Sequence, residues 1–400
     1  MVRPLRLVIV ADTFPPLRTS GAVQLRDLSQ EFCRQGHRLT VVLPDSDQKS
    51  PWQLVSVEGV ELLRLKAPRT KDIGYIRRTL GELFMPYWMM KHLKKSPLAN
   101  QQWDGVIWYS PSIFHGPLVA ALKQKSSCKG YLIIRDIFPE WALDMGLMSK
   151  GFPYLFFKSV AIYQYSVADV IGVQTTGNQP YFNKWCQRPG RVLEVLENWL
   201  GKPGITNCPI RLDQTALAER KVFVYAGNMG VAQGMDILLD VAEQFRNRSD
   251  IGFLFVGRGS DSVRLKSCAE TRQLENVLFY DELDPDEIPD LYAQCSVGIV
   301  SLDPRHKSHN IPGKFLTYMQ SGLPVLANIN AGNDLATLIR NDEVGVVCES
   351  NQLNELVKLT ESLLNQIEKD SLLPRRCREL FERRFSAEKA VRQIVNALSI

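Results

Sequence analysis

The sequence predicts an α/β protein with two doubly wound parallel-sheet domains in tandem. Its 400 residues exceed what one hydrophobic core usually organises, so at least two domains are expected. Short continuous apolar runs, typical of parallel strands covered on both faces, alternate with helical patterns. The alternation breaks over residues 197–219, where glycine and proline accumulate, and then restarts. We therefore predict domains over residues 1–200 and 201–386, followed by a terminal helix within 387–400.

The first half opens with a strand, a glycine-containing loop, a helix and a second strand. Leu5–Ala11 is a continuous apolar run, the loop reaches Gly21, and the helix ends at Gly36 before the strand Leu39–Leu43. The same patterns predict the later elements. Strands are expected at Val60–Leu65, Gly105–Tyr109, Gly130–Ile134, Val170–Gln174 and Val192–Leu196, and helices at about 112–125, 152–167 and 178–186.

The second half repeats this alternation without repeating the sequence. The strand Val222–Tyr225 leads into the glycine-rich turn Gly227–Gly230 and the helix Met235–Phe245. The last helix, Ala387–Leu398, follows Ser386, a residue type that caps helix N-termini well. Further strands are expected at Ile251–Val256, Val277–Tyr280, Val297–Val300, Pro324–Ala327 and Gly345–Val347.

Composition excludes several classes of protein. Hydrophobic residues make up 45% and charged residues 23%, as in soluble globular proteins, and no apolar run approaches the ~20 residues of a membrane span. The basic start continues directly into the first strand, so no signal peptide is expected. The eight cysteines form no CxxC pair and the five histidines no paired spacing, which indicates reduced thiols and neither a disulfide framework nor a metal site.

The net charge of +5 conceals an asymmetry between the two halves. Residues 1–200 hold 25 Lys and Arg against 16 Asp and Glu, a balance of +9, whereas the remainder holds 23 against 27, a balance of −4. A basic half joined to a mildly acidic half suggests that one half meets an anionic surface or ligand.

Three stretches of the second half have features of phosphate sites. Doubly wound sheets bind ligands beyond the carboxyl ends of their strands, and glycine there lets backbone amides approach a phosphate. The first stretch is the turn with Gly227, Asn228 and Gly230 that leads to Gln233. The second is Gly257-Arg258-Gly259, in which Arg258 supplies a cation. The third is residues 305–327, where Lys314 stands at a helix start after Pro312 and Gly313. The alternative is that glycine simply ends parallel strands, and that 305–310 is an ordinary solvated loop.

The first half carries different candidates. Gly21 after the first strand suits either a phosphate cradle or a plain turn. Asp136 and Glu140 follow the strand ending at Ile134, where a carboxylate could orient or deprotonate an acceptor hydroxyl, although Asp136 before Pro139 also suits a helix cap. His115 is a further candidate for the acceptor site.

Residues 69–97 combine basic and apolar side chains. The stretch contains seven Lys and Arg but only two acidic residues, Asp72 and Glu82, so its net charge is +5. Aromatic, Met and aliphatic residues lie between the charged ones. Such a stretch suits the headgroup region of an anionic membrane, and the alternative is a core helix with a charged outer face. The residues that we assign to lipid contact are Arg77, Arg78, Trp88, Lys91 and Lys94.

Several short motifs together resemble the group 1 (family 4) retaining glycosyltransferases. Phe14-Pro15-Pro16, Ser20-Gly21 and Gly36–Val41 resemble the family's opening, and Val224–Gly230, Phe255–Gly259 and Ser321–Val325 resemble its donor domain. The resemblance extends along nearly the whole chain. It implies the GT-B architecture, with two Rossmann-like domains facing a cleft, a nucleotide-sugar donor in the second domain, no metal cofactor, and a last helix that crosses back onto the first domain.

The chain departs from the family at the residues that usually hold the donor. Two Glu eight residues apart normally precede the Ser-Gly-x-Pro-Val segment, and those positions are His309 and Thr317 here. The family's diphosphate-binding Arg and Lys fall at Asn228 and Gln233. We therefore expect Lys314, and Arg258 as a second cation, to supply the missing charge.

One subgroup, resembling bacterial L-fucosamine transferases of O-antigen and capsule assembly, shares Asn310-Ile311-Pro312-Gly313-Lys314 and the segment Arg135–Trp141. This resemblance implies a UDP-sugar donor, N-acetyl-L-fucosamine as the sugar, an undecaprenyl-diphosphate-linked acceptor, and a peripheral location on the cytoplasmic face of the bacterial inner membrane. No nucleic acid partner is expected. Two alternatives are a UDP-sugar 2-epimerase of the same fold, which needs no lipid acceptor, and a non-catalytic homologue that binds sugar without turnover.

Overall fold

The structure is a computed structural model that describes residues 3–17, 19–71, 73–203, 206–230, 233–303 and 311–399. It divides into two compact units: Met1–Gly201 with Ala387–Ile400 form unit 1, and Lys202–Ser386 form unit 2. Each unit is a sheet of mainly parallel strands covered by helices, which confirms the predicted α/β class.

Unit 1 contains, within its described residues, an eight-stranded sheet. The strands are β1 (Arg6–Val10), β2 (Arg38–Asp45), β3 (Trp52–Val57), β4 (Val60–Lys66), β5 (Gly105–Tyr109), β6 (Lys129–Ile133), β7 (Val170–Val173) and β8 (Val192–Val195). Their order across the sheet is β3-β4-β2-β1-β5-β6-β7-β8. The helices are α1 (Ser20–Arg34), α2 (Tyr75–Leu93), α3 (Gly116–Ser126), α4 (Glu140–Asp144), α5 (Phe152–Val167) and α6 (Asn183–Cys186).

The sequence did not predict β3, which pairs antiparallel with β4 at the sheet edge. Glu58 and Gly59 alone connect the two strands, and both have positive φ, 51° and 81°. A two-residue turn with two positive φ angles is the connection that suits a tight hairpin. The otherwise parallel sheet therefore has one antiparallel edge strand, whose pairing depends on local turn geometry.

Unit 2 contains, within its described residues, a six-stranded parallel sheet in the order β11-β10-β9-β12-β13-β14. The strands are β9 (Lys221–Ala226), β10 (Ile251–Val256), β11 (Val277–Tyr280), β12 (Val297–Ser301), β13 (Val325–Asn328) and β14 (Gly345–Cys348). The helices are α7 (Asp236–Gln244), α8 (Ser262–Thr271), α9 (Ile288–Ala293), α10 (Gly313–Ser321), α11 (Asp334–Asn341), α12 (Leu353–Lys369) and α13 (Leu373–Arg384).

The last helix, α14 (Ala387–Ser399), packs in the core of unit 1 rather than unit 2. Its buried residues share a cluster with α1 on one face of the sheet, while α2, α3 and α5 cover the other face. The amide of Ala387 donates to the carbonyl of Leu200 at 2.9 Å, so the helix begins beside the end of unit 1's first segment. Among the helices that the structure describes, none combines the length and apolarity that a bilayer crossing requires.

We predict that Ile394→Ala destabilises unit 1, because the Ile394 side chain in α14 is fully buried. The expected loss is about 2–5 kcal/mol in the free energy of unfolding, as for other large-to-small core substitutions. All seven tryptophans lie between residues 52 and 199, so tryptophan fluorescence during urea unfolding follows unit 1 selectively. The matched control is Asn396→Ala, an exposed position on the same helix. Equal unfolding curves for the two variants would contradict the packing of α14 on unit 1.

Candidate functional site

The candidate site of unit 2 lies where the strand order reverses. From β9 the chain proceeds outward through β10 and β11, and then returns to the other side of β9 for β12, β13 and β14. Loops leave the carboxyl ends of β9 and β12 toward opposite sides at such a point, which opens a crevice for a ligand. The turn after β9 and the first turn of α10, which follows β12, are therefore the segments to inspect.

The loops after β9 and β10 press against each other through glycines. The Gly227 amide donates to the Val256 carbonyl at 2.9 Å, and the Met229 amide donates to the Arg258 carbonyl at 2.7 Å. A Cβ at Gly257, where φ is +144°, would lie 2.0 Å from the Gly227 carbonyl oxygen, which no side chain tolerates. Glycine is thus required here because two backbones meet, which leaves a surface of backbone groups next to β9.

Lys314 reaches from the first turn of α10 to the end of β9. Its Nζ lies 3.5 Å from the centre of the Tyr225 ring, and a Cβ at Gly227 would lie 3.7 Å from the same nitrogen. The described residues give Lys314 no hydrogen bond or ion pair, so its main electrostatic contact is the Tyr225 ring face. Its side chain is partly buried, and burial lowers the pKa of Lys314 to about 7. An anion placed beside Lys314 would raise this pKa and so favour the charged form of the side chain.

Tyr225 and Tyr318 fix the position of that lysine, and sequence analysis assigned neither a role. The Tyr225 hydroxyl donates to the Asn228 carbonyl at 2.6 Å, which fastens the ring under the turn. The Tyr318 hydroxyl lies 3.0 Å from the Val224 carbonyl and 3.1 Å from the Ile299 carbonyl, so it ties α10 to β9 and β12. A Cβ at Gly298 would lie 2.4 Å from the Tyr318 ring, so this glycine is the one sequence signal for the contact.

Asn228 and Gln233, which stand where the resemblance places a diphosphate-binding Arg and Lys, form a hydrogen bond with each other through their side chains. Asn228 Nδ2 donates to Gln233 Oε1 at 3.1 Å, and the Gly230 amide donates to the same oxygen at 3.0 Å. These groups shape the turn but carry no charge. Arg258 is exposed and pairs with Glu282 at 3.0 Å, which partly neutralises it. Lys314 is therefore the cation that the described residues place at the glycine turn without a carboxylate partner.

The remaining predicted donor residues are less informative. The Thr317 hydroxyl faces the Gly313 carbonyl of its own helix at 3.5 Å, and His309 and Asn310 lie outside the described residues. In unit 1, Gly21 lies in the first turn of α1. A Cβ there would lie 3.4 Å from both Thr13 Cγ2 and the Tyr109 hydroxyl. Gly21 is thus in contact with protein side chains rather than in open space.

Asp136 is the catalytic candidate of unit 1 whose carboxylate has no partner among the described residues. It follows β6 and is exposed, and the described residues give its carboxylate no hydrogen bond or ion pair. Although the side chain retains accessible surface, the surrounding protein raises the pKa of Asp136, and the neighbouring Arg135 guanidinium partly opposes this. The capping interpretation is wrong, because α4 has Pro139 at its N-cap position.

Arg135 is held in place by aromatic and backbone contacts. Its guanidinium lies over the Trp199 ring at 4.3 Å and donates to the Leu196 carbonyl at 3.0 Å. Burial lowers the pKa of Arg135. The Trp199 indole in turn donates to the Gln24 carbonyl at 2.7 Å. Arg135 and Trp199 therefore connect the backbone next to Asp136 to α1 and to Leu196, the residue after β8.

Glu140 and His115 are occupied or enclosed, unlike Asp136. Glu140 Oε1 pairs with Lys158 and lies 3.5 Å from the Tyr154 hydroxyl, which ties α4 to α5. The His115 ring is fully buried, so in this structure it lies out of reach of a substrate. Burial lowers the pKa of His115. Gln164 accepts from the His115 amide at 3.1 Å, which ties the start of α3 to α5.

Helix α2 carries both a buried and an exposed apolar face. Met85, Met89 and His92 are buried, as the core-helix interpretation expects. A second row of apolar side chains is exposed, however, at Tyr75, Ile76, Leu80, Phe84, Tyr87 and Trp88. Of the predicted lipid-contact residues, Arg78 pairs with Glu82 at 2.9 Å, Lys91 lies 4.8 Å over the Trp88 ring, and Arg77 and Lys94 are exposed.

Metal-ligand residues do not converge in the part of the chain that the structure describes. That part contains no group of three or more His, Cys, Asp or Glu side chains able to hold an ion.

Comparison with known proteins gives this geometry a context. Residues 220–366, from β9 to α12 and including Lys314, match the family model of glycosyl transferases group 1. WcaI of Escherichia coli K12, named as a colanic acid biosynthesis glycosyl transferase, is 24% identical over 423 residues, covering 98% of this chain and 99% of its own. WbjE of Pseudomonas aeruginosa, named as a glycosyltransferase, is 22% identical over 364 residues, covering 90% of this chain and 89% of its own.

The fold also matches solved structures. HepE of Anabaena, crystallised with UDP, superposes with a TM-score of 0.66 at 17% identity, covering 98% of this chain and 99% of its own. The structural neighbours are GT-B glycosyltransferases. The protein is therefore a glycosyltransferase of the GT-B fold, and most of its second unit is similar to the glycosyl transferases group 1 family model.

Proposed function

We propose that this enzyme transfers a sugar from a UDP-sugar to a lipid-diphosphate-linked acceptor, with retention of anomeric configuration. The observation that carries the proposal is Lys314, a cation without a carboxylate partner among the described residues, held against Gly227 at the switch point of unit 2. A donor diphosphate supplies the missing negative charge. The UDP in the HepE crystals supports this choice of nucleotide.

The donor diphosphate is bound by one side chain and by backbone amides. Lys314 neutralises one phosphoryl group, and the open first turn of α10 donates backbone amides to the other. Asn228 and Gln233 keep the turn in shape through their mutual hydrogen bond. Charge from Lys314 replaces what the family obtains from Arg and Lys at those two positions.

The sugar and the pathway are drawn from resemblance. The segments Asn310–Lys314 and Arg135–Trp141 support N-acetyl-L-fucosamine as the transferred sugar, and WcaI's name supports a role in bacterial surface polysaccharide assembly. The acceptor is then an undecaprenyl-diphosphate-linked saccharide. A panel of UDP-sugars with lipid-linked acceptors, read by mass spectrometry, tests both assignments. An epimerised UDP-sugar formed without acceptor would indicate a 2-epimerase instead.

In the transfer step, the acceptor oxygen bonds to the anomeric carbon on the face from which UDP departs. The bond from that carbon to the diphosphate oxygen breaks, and its electron pair stays on UDP. Lys314 stabilises the negative charge that grows on UDP, where a preorganised cation has its largest effect. Asp136, whose carboxylate has no other partner among the described residues, orients the acceptor hydroxyl. The hydroxyl proton passes to Asp136 or to the departing diphosphate oxygen. The reaction as proposed requires no metal ion.

Helix α2 supports a peripheral membrane location. Ile76, Leu80 and Phe84 recur at four-residue spacing and remain exposed, with basic residues beside them. An exposed apolar stripe flanked by cations suits the interface of an anionic bilayer. We propose that this face contacts the cytoplasmic side of the inner membrane, where lipid-linked acceptors reside.

Replacing Lys314 tests the donor site. Lys314→Met should weaken UDP binding by about 10- to 100-fold, because a charge-assisted contact to the diphosphate is lost. Isothermal titration calorimetry with UDP measures the effect, and Lys266→Met, an exposed lysine of α8, is the matched control. The fold should be retained, because an apolar chain replaces a partly buried ammonium. Unchanged UDP affinity in Lys314→Met would contradict the proposal.

The pKa of Lys314 near 7 predicts pH-dependent donor binding. A bound diphosphate raises this pKa, so at pH values above about 7 binding takes up a proton. Affinity for a UDP-sugar should therefore fall as pH rises from 7 to 9, approaching about tenfold per pH unit. Calorimetry in buffers of different ionisation enthalpy measures the proton uptake directly. Lys314→Met should show neither uptake nor the decline, and a pH-independent wild-type affinity would overturn the prediction.

Asp136→Asn separates catalysis from donor binding. The substitution keeps the shape but removes the charge, so turnover should fall by about 10²- to 10⁴-fold while UDP affinity is unchanged. Turnover is followed as UDP release in the presence of acceptor. Asp144→Asn, an exposed carboxylate on the nearby α4, should leave turnover near wild type. Turnover near wild type in Asp136→Asn, or loss of UDP binding, would refute its role toward the acceptor.

A further inference from the structure

A second exposed apolar surface lies on unit 1, away from α2. We define the α4–α5 surface as Trp141, Leu147, Phe152 and Leu155, with exposed fractions of 41%, 71%, 82% and 62%. Single exposed apolar residues are ordinary in soluble proteins. Four large ones occur within fifteen residues of one helix–loop–helix segment, and three of them are more than 60% exposed, a density of exposed apolar side chains typical of binding surfaces.

This surface stands on a rigid base. Phe138 contacts both Trp141 and Phe157, with ring centres 6.2 and 5.1 Å apart. Glu140 joins α4 to α5 through Lys158 and Tyr154. Trp141, Phe152 and Leu155 therefore project from a packed pair of helices. Leu147 lies in the connection between them, where its amide donates to the Ala142 carbonyl at 2.9 Å. An occupant would find these side chains already in position.

The α4–α5 surface begins beside the proposed acceptor carboxylate. Asp136 lies in the connection between β6 and α4, and Trp141, in the first turn of α4, contacts Phe138, two residues after Asp136, at an interplanar angle of 52°. Lys150, between Leu147 and Phe152, is exposed, and the described residues give it no ion pair. Reactive carboxylate, apolar surface and free cation thus follow one another along a single stretch of chain. A saccharide on a diphosphate with a hydrocarbon chain offers the complementary groups.

We infer that the α4–α5 surface binds the hydrocarbon chain of the lipid-linked acceptor, an inference that rests on the proposed function. It assigns different tasks to two faces of unit 1. The exposed row of α2 contacts the bilayer, whereas the α4–α5 surface holds the chain of one acceptor molecule beside Asp136. Helix α3 packs against both α2 and α5, so the two surfaces are on separate helices of one layer.

A binding experiment without any membrane tests this assignment. The probes are farnesyl diphosphate, which has a fifteen-carbon chain, and inorganic diphosphate, which has none. Both are titrated into the full-length protein at saturating UDP, so that the donor site is filled, and below the concentration at which the probe forms micelles. The test variant is Leu147→Ser with Phe152→Ser. The matched control, Ile76→Ser with Leu80→Ser, removes two exposed apolar residues from α2.

Wild type should bind farnesyl diphosphate at least tenfold more tightly than inorganic diphosphate. The α4–α5 variant should lose about tenfold or more of that affinity, since each exposed apolar side chain that becomes buried contributes on this scale, while its affinity for inorganic diphosphate is unchanged. The α2 control should bind both probes as wild type does. Because all four substitutions are at exposed positions, the melting temperatures should stay close to wild type.

Three results would overturn the inference. They are equal binding of the two probes to wild type, equal loss in both variants, and an α4–α5 variant that keeps probe affinity but no longer sediments with anionic vesicles. The last result would assign this surface to bilayer contact. UDP binding is measured in the same samples, and its absence would refute the proposed donor site independently of how the probes behave.

Discussion

The proposed donor site of unit 2 centres on one ammonium group that lacks a counter-ion among the described residues. Lys314 Nζ lies on the face of Tyr225, at the point where the sheet of unit 2 reverses its strand order. A desolvated ammonium is costly unless its charge is paired, and the low pKa of Lys314 expresses that cost. The surrounding features keep the lysine there: Tyr318 ties α10 to the sheet, Gly298 leaves room for that ring, and Gly227 leaves room for the lysine. Under the proposed function, the diphosphate completes the arrangement.

The two candidate carboxylates of unit 1, Glu140 and Asp136, differ in whether another side chain pairs with them. Glu140 joins two helices through Lys158, whereas Asp136, four residues earlier, has no such partner among the described residues. This difference assigns Glu140 to the scaffold of α4 and α5 and leaves Asp136 for the acceptor. The same scaffold presents the exposed apolar side chains that we assign to the acceptor's hydrocarbon chain. Under the proposed function, one short segment after β6 supplies both the polar and the apolar contacts to a lipid-linked sugar.

The fold class was predictable from the sequence because parallel strands covered on both faces leave continuous apolar runs. Those runs located nearly every strand, including β1, β5 and β10. The strand β3 was not predicted because none of its residues is fully buried at the sheet edge, so it leaves no continuous apolar run, and its pairing depends on the Glu58-Gly59 turn. The short helix α4 escaped because five residues are too few for a helical period to appear.

The site was predictable only in part, for physical reasons that differ between residues. Lys314 was identified because Pro-Gly-Lys at a helix start has a local signature. Its contact with Tyr225 joins residues 89 positions apart and depends on packing that no local pattern encodes. The pairing of Arg258 with Glu282 and the burial of His115 likewise arise from tertiary structure. Composition indicated a basic first half, but only the structure distinguishes the buried face of α2 from its exposed one.

The most direct test of this account is a measurement of the Lys314 pKa in solution. Proteins with ¹³C-labelled lysine side chains, titrated by NMR, report each ammonium separately, and Lys314→Met assigns the signal. The account predicts a midpoint of about 7 in the free enzyme and a clear upward displacement when a UDP-sugar is bound. A midpoint near the ordinary lysine value of about 10.4, unaffected by the nucleotide sugar, would contradict it.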